Sequence, residues 1–488
     1  MDATFPVLIS LIAYFLLLLA IGWWTTRGGA SLSDFFKAGG KAPWYLVAFG
    51  MIGTSISGVT FVSVPGAVAS QQFGYMQIVF GYFVGYLVIT FILLPLYYRL
   101  QLTSIYTYLS QRFGKNTYQI GASFFLLSRS LGSAARLFLV ALVLQKLLFG
   151  VWEIPFAVSV AILLVMIILY SSKGGIKTIV YTDTFQTAFF LIAVIATIII
   201  ISYRLPGTWY ETIATSPYNQ VFFGDWEKSN FFWKQFLTGA LISISMTGLD
   251  QDQMQKNLSC RNLADAQKNM LSYSAALVLV NAIFIGLGAF LYAYADFMGI
   301  ATPKRTDELF PLIAMNYLPQ TIGILFLLGL IAAAFSSADG AISALTTSVA
   351  VDFFNIQSLS EQKSLTLKRK IYWMVCLVIY FQIIAIYIYE SSKSPTVKFS
   401  VIQLVLDLAT YTYGPLLGLF AFGLFTRYRC VDKWIPWIAV LSPVASFGVQ
   451  FLSKHWFQYE WGNELLLINA GFTFLGCWIT SLKNKLIS

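Results

Sequence analysis

Long, uninterrupted apolar blocks are the feature that most restricts what this chain can fold into. Leu, Ile, Val and Phe gather in runs of about 20 residues, and a helix of that length crosses a hydrocarbon layer ~30 Å thick. The runs do not alternate in short segments, which argues against a transmembrane β-barrel. Only 11% of the 488 residues are charged, against about a quarter in soluble domains. The sequence therefore predicts an all-α polytopic membrane protein.

The apolar blocks between charged or Gly/Pro segments give about thirteen predicted spans. They are 5–26, 44–69, 75–98, 119–149, 153–171, 179–203, 231–256, 269–296, 320–354, 369–390, 398–426, 434–453 and 462–482. Since no connection is long enough for a soluble domain, we expect one transmembrane transporter domain over 1–488. Its predicted parts are a peripheral first helix in 1–43, two repeats in 44–203 and 204–426, and two peripheral helices in 427–488.

The loops between alternate spans differ in positive charge. Of the 31 lysines and arginines, 20 fall on one side, including Lys483 and Lys485, and 9 on the other, including Lys393 and Lys398. Because cytoplasmic loops collect Lys and Arg, we expect an outside N-terminus and a cytoplasmic C-terminus in the plasma (inner) membrane.

The chain carries a net charge of +10, but its basic residues are dispersed among loops, so no nucleic-acid partner is expected. We expect a monomer in the lipid bilayer. Four cysteines without CxxC spacing and a single histidine argue against zinc or histidine-base chemistry, and hence against an enzyme.

Span two contains a polar interruption at 53–60, rich in Gly, Ser and Thr. Such a segment can unwind and free backbone carbonyls for an ion, or it can form a close helix-packing face; both interpretations stay open. Span seven repeats the pattern at 239–248 and continues with Asp250 and Gln251. Because the second interruption comes five spans after the first, the sequence predicts two inverted repeats of five spans, each opened by a discontinuous helix.

Two acidic residues lie inside apolar segments: Asp339 in span nine, soon after Ser336 and Ser337, and Asp183 in span six. A buried carboxylate needs a cation, a partner or a proton. Carboxylate, hydroxyl and carbonyl oxygens suit a hard cation such as Na⁺. The alternative is a hydrogen-bonded structural acid.

Span four carries Arg129 and Arg136 too deep for easy snorkelling and seven residues apart, so they share a face. One of them binds a carboxylate or another anionic group, or they form structural pairs with helix carbonyls or Asp407.

At these residues the chain resembles the sodium:solute symporter family, whose members share the fold first described for the bacterial leucine transporter. The matching stretches are 38–40, 57–66, 174–175, 182–186, 250–251 with 255–256, 334–339 and 413–415. The resemblance covers nearly the whole chain in the family's order. It implies a sodium site made by the carbonyls of Gly53, Ile56 and Ala333 and the hydroxyls of Ser336 and Ser337.

The number of sodium ions is left open by the resemblance. A second ion would use Asp183, Ser336 and Asp339, but Asp339 and Gly340 stand where two-sodium members carry serines.

Span two is most similar to the family's sialic-acid branch, in which hydroxyls corresponding to Ser55, Ser57 and Thr60 meet the substrate. Tyr82 stands where that branch has a glutamine, and its carboxylate-binding arginine aligns with neither Arg129 nor Arg136 without a shift. Further substrate candidates are Ser243, Thr247 and Gln251.

The predicted function is sodium-coupled import of a small polar solute, an acidic sugar or other carboxylate. The alternatives are a neutral sugar, an amino acid or a vitamin, and, in a different class, a channel or a transporter-derived sensor.

Overall fold

The computed structural model describes residues 4–27, 29, 31–392, 401–459 and 461–481. Lys393 and Lys398, and Lys483 and Lys485, which entered the charge count above, lie outside the described residues. The regular structure of the described residues is helical, with one isolated parallel bridge between Ala42 and Cys260. The predicted all-α class is confirmed.

Twenty α-helices run through the described part of the chain. They are α1 Thr4–Thr26, α2 Leu32–Lys37, α3 Trp44–Ser55, α4 Gly58–Gln71, α5 Tyr75–Val88, α6 Leu94–Arg99, α7 Thr107–Arg112, α8 Lys115–Leu147, α9 Phe156–Ser171, α10 Ile176–Arg204, α11 Trp209–Ala214, α12 Phe232–Ser243, α13 Gln251–Asn257, α14 Leu263–Phe297, α15 Leu309–Asn316, α16 Gln320–Ser348, α17 Glu361–Ser391, α18 Val401–Phe425, α19 Ile435–Phe457 and α20 Leu465–Ser481.

Shorter helical turns of other types connect or extend these helices. Single π turns follow α5 at Ile89–Leu93, α12 at Ile244–Gly248 and α16 at Val349–Phe353. The 3₁₀ turns are Ala38–Gly40, Gln72–Gly74, Phe149–Trp152, Thr306–Glu308, Ile356–Ser358 and Asp432–Trp434.

The long helices fall where the apolar blocks predicted them. Within the described ranges, nine helical segments are long and apolar enough to cross a membrane. Three shorter apolar helices, α3, α9 and α20, also occupy predicted span positions. The total of about thirteen spans stays a prediction.

Span two is broken at its polar interruption. Helix α3 ends at Ser55 and α4 begins at Gly58. Between them Ile56 (φ −86°, ψ 75°) and Ser57 (φ −63°, ψ 169°) leave the helical region. The Ile52 carbonyl still accepts from the Ile56 amide at 2.9 Å, and the carbonyls that follow it lack the amide donors of a continuing helix. The interruption is thus an unwound segment, and the packing-face alternative alone does not describe it.

Span seven is broken in the corresponding place. Helix α12 passes through its π turn and stops, and α13 restarts after Asp250, whose side chain accepts hydrogen bonds from the amides of Asp252 and Gln253. An aspartate at an N-cap satisfies the orphan amides of the first turn. The prediction of two discontinuous helices is confirmed.

Helix α16 lies at the centre of the bundle. All but a few of its residues from Ile322 to Ser348 are buried, while α1 and α19 are mostly exposed along their apolar stretches. Helix α10 packs along α16, and α3 packs on both. This arrangement places the break in span two directly beside the serines of α16.

Candidate functional site

A cavity of about 890 Å³, including its opening, lies against the break in span two. Helices α3, α4, α5, α8, α12, α13, α14 and α18 contribute to its wall. The predicted substrate residues that line it are Ser55, Ser57, Thr60, Tyr82, Arg129, Arg136, Ser243 and Thr247.

The hydroxyls of span two stand at the edge of this cavity because the helix stops there. Ser55, the last residue of α3, shares a hydrogen bond of 2.6 Å with the Tyr273 hydroxyl. Ser57 lies in the unwound segment, and Thr60 is on the first turn of α4. The wall is therefore rich in groups that can hydrogen-bond a hydroxylated solute.

The two arginines of α8 have different surroundings. Arg129 is buried and forms an ion pair with Asp252, and its guanidinium lies 3.8 Å from Asp250. Asp250 also accepts a hydrogen bond of 2.5 Å from the Tyr413 hydroxyl. Arg129 thus pairs with Asp252 and Asp250, which differ from the helix carbonyls and Asp407 named in the structural alternative. Its contact with a solute stays a prediction.

Arg136 lies two turns further along α8 and lines the same cavity. No hydrogen bond or ion pair of its side chain is found among the described residues. A guanidinium carries five donors in a planar fork that matches a carboxylate. Arg136 is thus the arginine available to a bound anion.

Gln251 is the predicted residue that the structure does not bring to the cavity. Its side chain accepts from the Ile105 amide at 2.9 Å and donates to the Thr103 carbonyl at 2.8 Å. Gln251 therefore ties α13 to the loop that follows α6. Gln253, two residues later on α13, lines the cavity instead, because side chains two residues apart point to different faces of a helix.

Five polar residues of the cavity wall were not among the predicted substrate residues. They are Thr54, Tyr75, Tyr86, Gln253 and Asn281. Asn281 is an amide in an apolar stretch of span eight, a signal of the kind that singled out Asp339. The two tyrosines carried no such signal because tyrosine is common throughout the chain, which has 27 of them.

Two of the predicted sodium ligands meet where α3 ends against α16. A Cβ added to Gly53 would lie 3.0 Å from the Ser336 hydroxyl oxygen, so the backbone of α3 and this serine are in direct contact. Ile56 lies just past the helix end, and Ala333 precedes Ser337 by one turn of α16. The predicted ligand set is therefore drawn from two helices that touch, and its carbonyls stay predicted ligands.

The surroundings of the Ser337 hydroxyl indicate whether these oxygens suit a cation. Its side chain is 2% exposed, and its hydroxyl has no hydrogen-bond partner among the described residues. A buried polar atom without a partner is costly unless a ligand supplies one. The hydroxyl and carbonyl donors match the preference of a hard cation, so these residues fit a sodium ion.

A buried group of charged residues lies next to the end of α3. Lys256 of α13 donates a hydrogen bond of 2.7 Å to Asp183 of α10 and another to Thr54 of α3. Asp339 accepts a hydrogen bond of 2.7 Å from the Tyr170 hydroxyl. The second oxygens of Asp183 and Asp339 have no hydrogen-bond partner within the described ranges. The role of Lys256 was not anticipated from the sequence.

Comparisons with known proteins identify the family of this chain. The sequence profile of the sodium:solute symporter family matches residues 35–430. The sodium/sialic acid symporter NanT of Aliivibrio fischeri is 25% identical over 95% of this chain and 92% of its own length. The sodium-coupled monocarboxylate transporter 1 of Xenopus laevis is 26% identical over 81% of this chain, which spans 64% of that longer protein.

A solved structure shares the fold. A Na⁺-coupled sialic acid symporter in a substrate-bound, outward-open state superposes with a TM-score of 0.85 at 18% identity, over the full length of both chains. The leucine-transporter-like fold that the resemblance implies is confirmed.

Proposed function

Since this chain belongs to the sodium:solute symporter family, we propose that it imports a sialic acid or a related acidic sugar together with sodium. Sodium-coupled symport and the absence of an enzymatic activity follow from the family. The identity of the solute is the proposal. It is carried by one observation: the Arg136 side chain lines the cavity and is not engaged by a carboxylate of the described chain.

The rest of the cavity wall suits a polyhydroxylated acid. The cavity that Arg136 lines is also lined by hydroxyls and amides, including those of Thr60, Thr247, Gln253 and Asn281. The ligands named for the two relatives, sialic acid and monocarboxylates, share a carboxylate, which is the group that a guanidinium binds in bidentate fashion. A neutral sugar, an amino acid or a vitamin remains the alternative solute, and Arg136 speaks against the first of these.

The proposed sodium ligands are the carbonyls of Gly53, Ile56 and Ala333 and the hydroxyls of Ser336 and Ser337. An ion held there bridges the end of α3 to α16. Because α3 also ends at the solute cavity, sodium binding organises the segment that the solute contacts. Loss of the ion on the low-sodium side releases that segment. Each inward charge adds ~2.3 kcal/mol per 100 mV of membrane potential.

The chain belongs to a family of multi-pass membrane transporters. We further propose that it resides as a monomer in the lipid bilayer of the plasma (inner) membrane, with the N-terminus outside and the C-terminus in the cytoplasm. We also propose that residues 44–203 and 204–426 form two repeats. It is supported by helix breaks at Ile56 and Leu249.

The sodium site is tested by Ser337→Ala. We expect the variant to insert normally and to need at least ~10-fold more sodium for half-maximal uptake, because a hydrogen bond or ligand to a charged group contributes ~1.5–3 kcal/mol. The measurement is solute uptake into proteoliposomes over a range of inward sodium gradients.

Ser343→Ala is the matched control, since Ser343 lies on the same helix, is 1% exposed and also has a hydroxyl without a partner among the described residues. Its sodium requirement is expected to stay unchanged. If both variants respond alike, the assignment of Ser337 is wrong.

The solute is tested with the wild type by comparing sialic acids, neutral sugars, monocarboxylates and amino acids with and without sodium. Uptake that never exceeds equilibrium would indicate a channel.

A further inference from the structure

Gln253 brings an amide to the cavity wall that the protein itself does not use. The residue is 4% exposed and lines the cavity. Its side-chain oxygen, Oε1, has no hydrogen-bond partner among the described residues, and no other side-chain oxygen of the cavity wall is buried in this unpartnered state within those ranges. A buried acceptor without a donor is costly unless a ligand supplies one. Gln253 also lies between the stretches 250–251 and 255–256, on which the family resemblance rests.

The other two glutamines of α13 hold the helix in place. Gln251 is hydrogen-bonded to the loop that follows α6. Gln255 donates to the Phe36 carbonyl at 2.7 Å and to the Thr347 hydroxyl at 2.9 Å. Neither of these two glutamines lines the cavity. Gln253 is therefore the glutamine of α13 that is available to a solute.

The break in span seven holds Gln253 in this position. Gln253 lies on the first turn of α13, and its backbone amide donates to the Asp250 side chain at 3.3 Å. Asp250 in turn accepts a hydrogen bond of 2.5 Å from the Tyr413 hydroxyl of α18. Thr60 has a comparable place in span two, on the first turn of α4 after its break. Each broken helix thus presents a polar side chain to the cavity from the turn that follows the break.

The cavity wall offers both donors and acceptors to a solute. Arg136 can only donate, whereas the Gln253 oxygen can only accept. The side-chain nitrogen of Asn281 donates to the Leu277 carbonyl at 2.8 Å, and its oxygen is a second acceptor of the wall. A carboxylate can satisfy Arg136 but not these two oxygens, because an ionised carboxylate also only accepts. A solute that matches the whole wall therefore carries an O–H or N–H group in addition to its carboxylate.

We propose that Gln253 determines the specificity of the site by accepting a hydrogen bond from an O–H or N–H group of the solute. This inference rests on the proposed function and narrows its substrate class to acids that carry such a donor. Sialic acids carry hydroxyl groups and an acylamino group, whereas a monocarboxylate with a hydrocarbon chain carries neither. A site built to hydrogen-bond a substrate group discriminates strongly against an analogue that lacks it. The site therefore selects the sialic acid over the simple monocarboxylate.

The test compares the wild type with Gln253→Met, which keeps the length of the side chain and removes its amide. The measurement is sodium-driven uptake of an N-acylated sialic acid into proteoliposomes, with propionate as a competitor. In the wild type we expect propionate to compete only at concentrations at least ~100-fold above the KM for the sialic acid. In the variant we expect this KM to rise ~10-fold, the effect of one lost hydrogen bond at a buried site. The inhibition constant of propionate should stay unchanged, because propionate has no donor for Gln253.

Met254→Leu is the matched control, because Met254 is a fully buried apolar residue of the same helix and this exchange conserves volume. Its KM for the sialic acid is expected to equal that of the wild type. A folded Gln253→Met protein with the wild-type KM overturns the inference. So does a wild type in which propionate competes as well as the sialic acid itself, and this comparison decides alone should Gln253→Met not accumulate.

A further solute, in which a hydroxyl replaces the acylamino group of the sialic acid, identifies the donor. An effect of Gln253→Met confined to the acylated acid assigns the donor to its N–H group, and an equal effect on both solutes assigns it to a hydroxyl; both results support the inference. Failure of the proposed function has a different signature, in which the wild type shows no sodium-driven uptake of any acid, with or without a donor.

Discussion

At the scale of single residues, two arginines on one helix face have different surroundings, and we propose different roles for them on that ground. Arg129 meets Asp250 and Asp252, which are brought to it by the break in span seven. Arg136, two turns away, meets the cavity. A guanidinium with protein carboxylates as partners stabilises the fold, while one without them can bind a solute.

The change Arg136→Gln tests this division. We expect it to raise the KM for an acidic solute by at least ~10-fold, because a charged hydrogen-bond donor contributes ~1.5–3 kcal/mol. The protein should accumulate normally. Uptake kinetics in proteoliposomes and a melting curve in detergent measure the two properties.

Arg129→Gln is the comparison variant. It leaves Asp252 and Asp250 without their buried partner, and breaking a buried pair costs ~3–5 kcal/mol. We expect this variant to melt earlier and to accumulate poorly. If Arg136→Gln transports the acidic solute as the wild type does, the proposed role of Arg136 is wrong.

At the scale of helices, the wall of the cavity depends on a close contact between α5 and α12. A Cβ on Gly81 would overlap the Phe236 carbonyl oxygen, and one on Gly85 would overlap the Ser243 side chain. Small residues four apart allow this approach of two helices in a membrane. Because Tyr82, Tyr86 and Ser243 line the cavity, the contact also fixes their positions.

We expect Gly81→Ala to destabilise the protein by ~1–3 kcal/mol through overpacking, and to reduce transport together with thermal stability. The measurement is the melting temperature in detergent. Gly286→Ala on α14 is the matched control, since a Cβ there meets nothing within 4 Å. It should leave stability unchanged or slightly raise it. Equal losses in both variants would argue against the special role of the α5–α12 contact.

At the scale of the whole molecule, burial divides the helices into a centre and a periphery. The central stretch of α16 is 83% buried, against 22% for those of α1 and α19. Hydropathy alone does not separate them, because lipid and protein interior are both apolar. The polar and charged residues inside the apolar segments, such as Asp183 and Asp339, therefore lie in the buried centre of the bundle.

The orientation of this bundle in the membrane is open to a direct test. All four native cysteines are buried, so a membrane-impermeant maleimide should react little with the wild type. We expect Lys228→Cys, in the connection before α12, to be labelled in intact cells, and Lys363→Cys, at the start of α17, only after permeabilisation. Both lysines are exposed. The reverse pattern of labelling would contradict the proposed topology.

The sequence by itself determined the elements that depend on local composition. Apolar runs long enough to cross lipid gave the positions of the long helices, since chain length and hydropathy decide that preference. Glycine and hydroxyl residues at mid-span marked the places where the helices break, at Ile56 and Leu249. Such segments can unwind inside a protein or form a packing face, and only the structure distinguished these two possibilities.

Only the tertiary structure decided how the buried charges are paired. Arg129 and Asp252 are 123 residues apart, and Lys256 and Asp183 are 73 apart. Whether the partners of each pair meet depends on how α8, α10 and α13 cross. A local sequence pattern does not determine that crossing. The same helix crossing places Arg136 in the cavity wall and directs the Gln251 side chain to the Ile105 amide, away from the cavity. The order of residues in one segment determines whether that segment forms a helix. An ion pair between two segments depends on how their helices pack against each other.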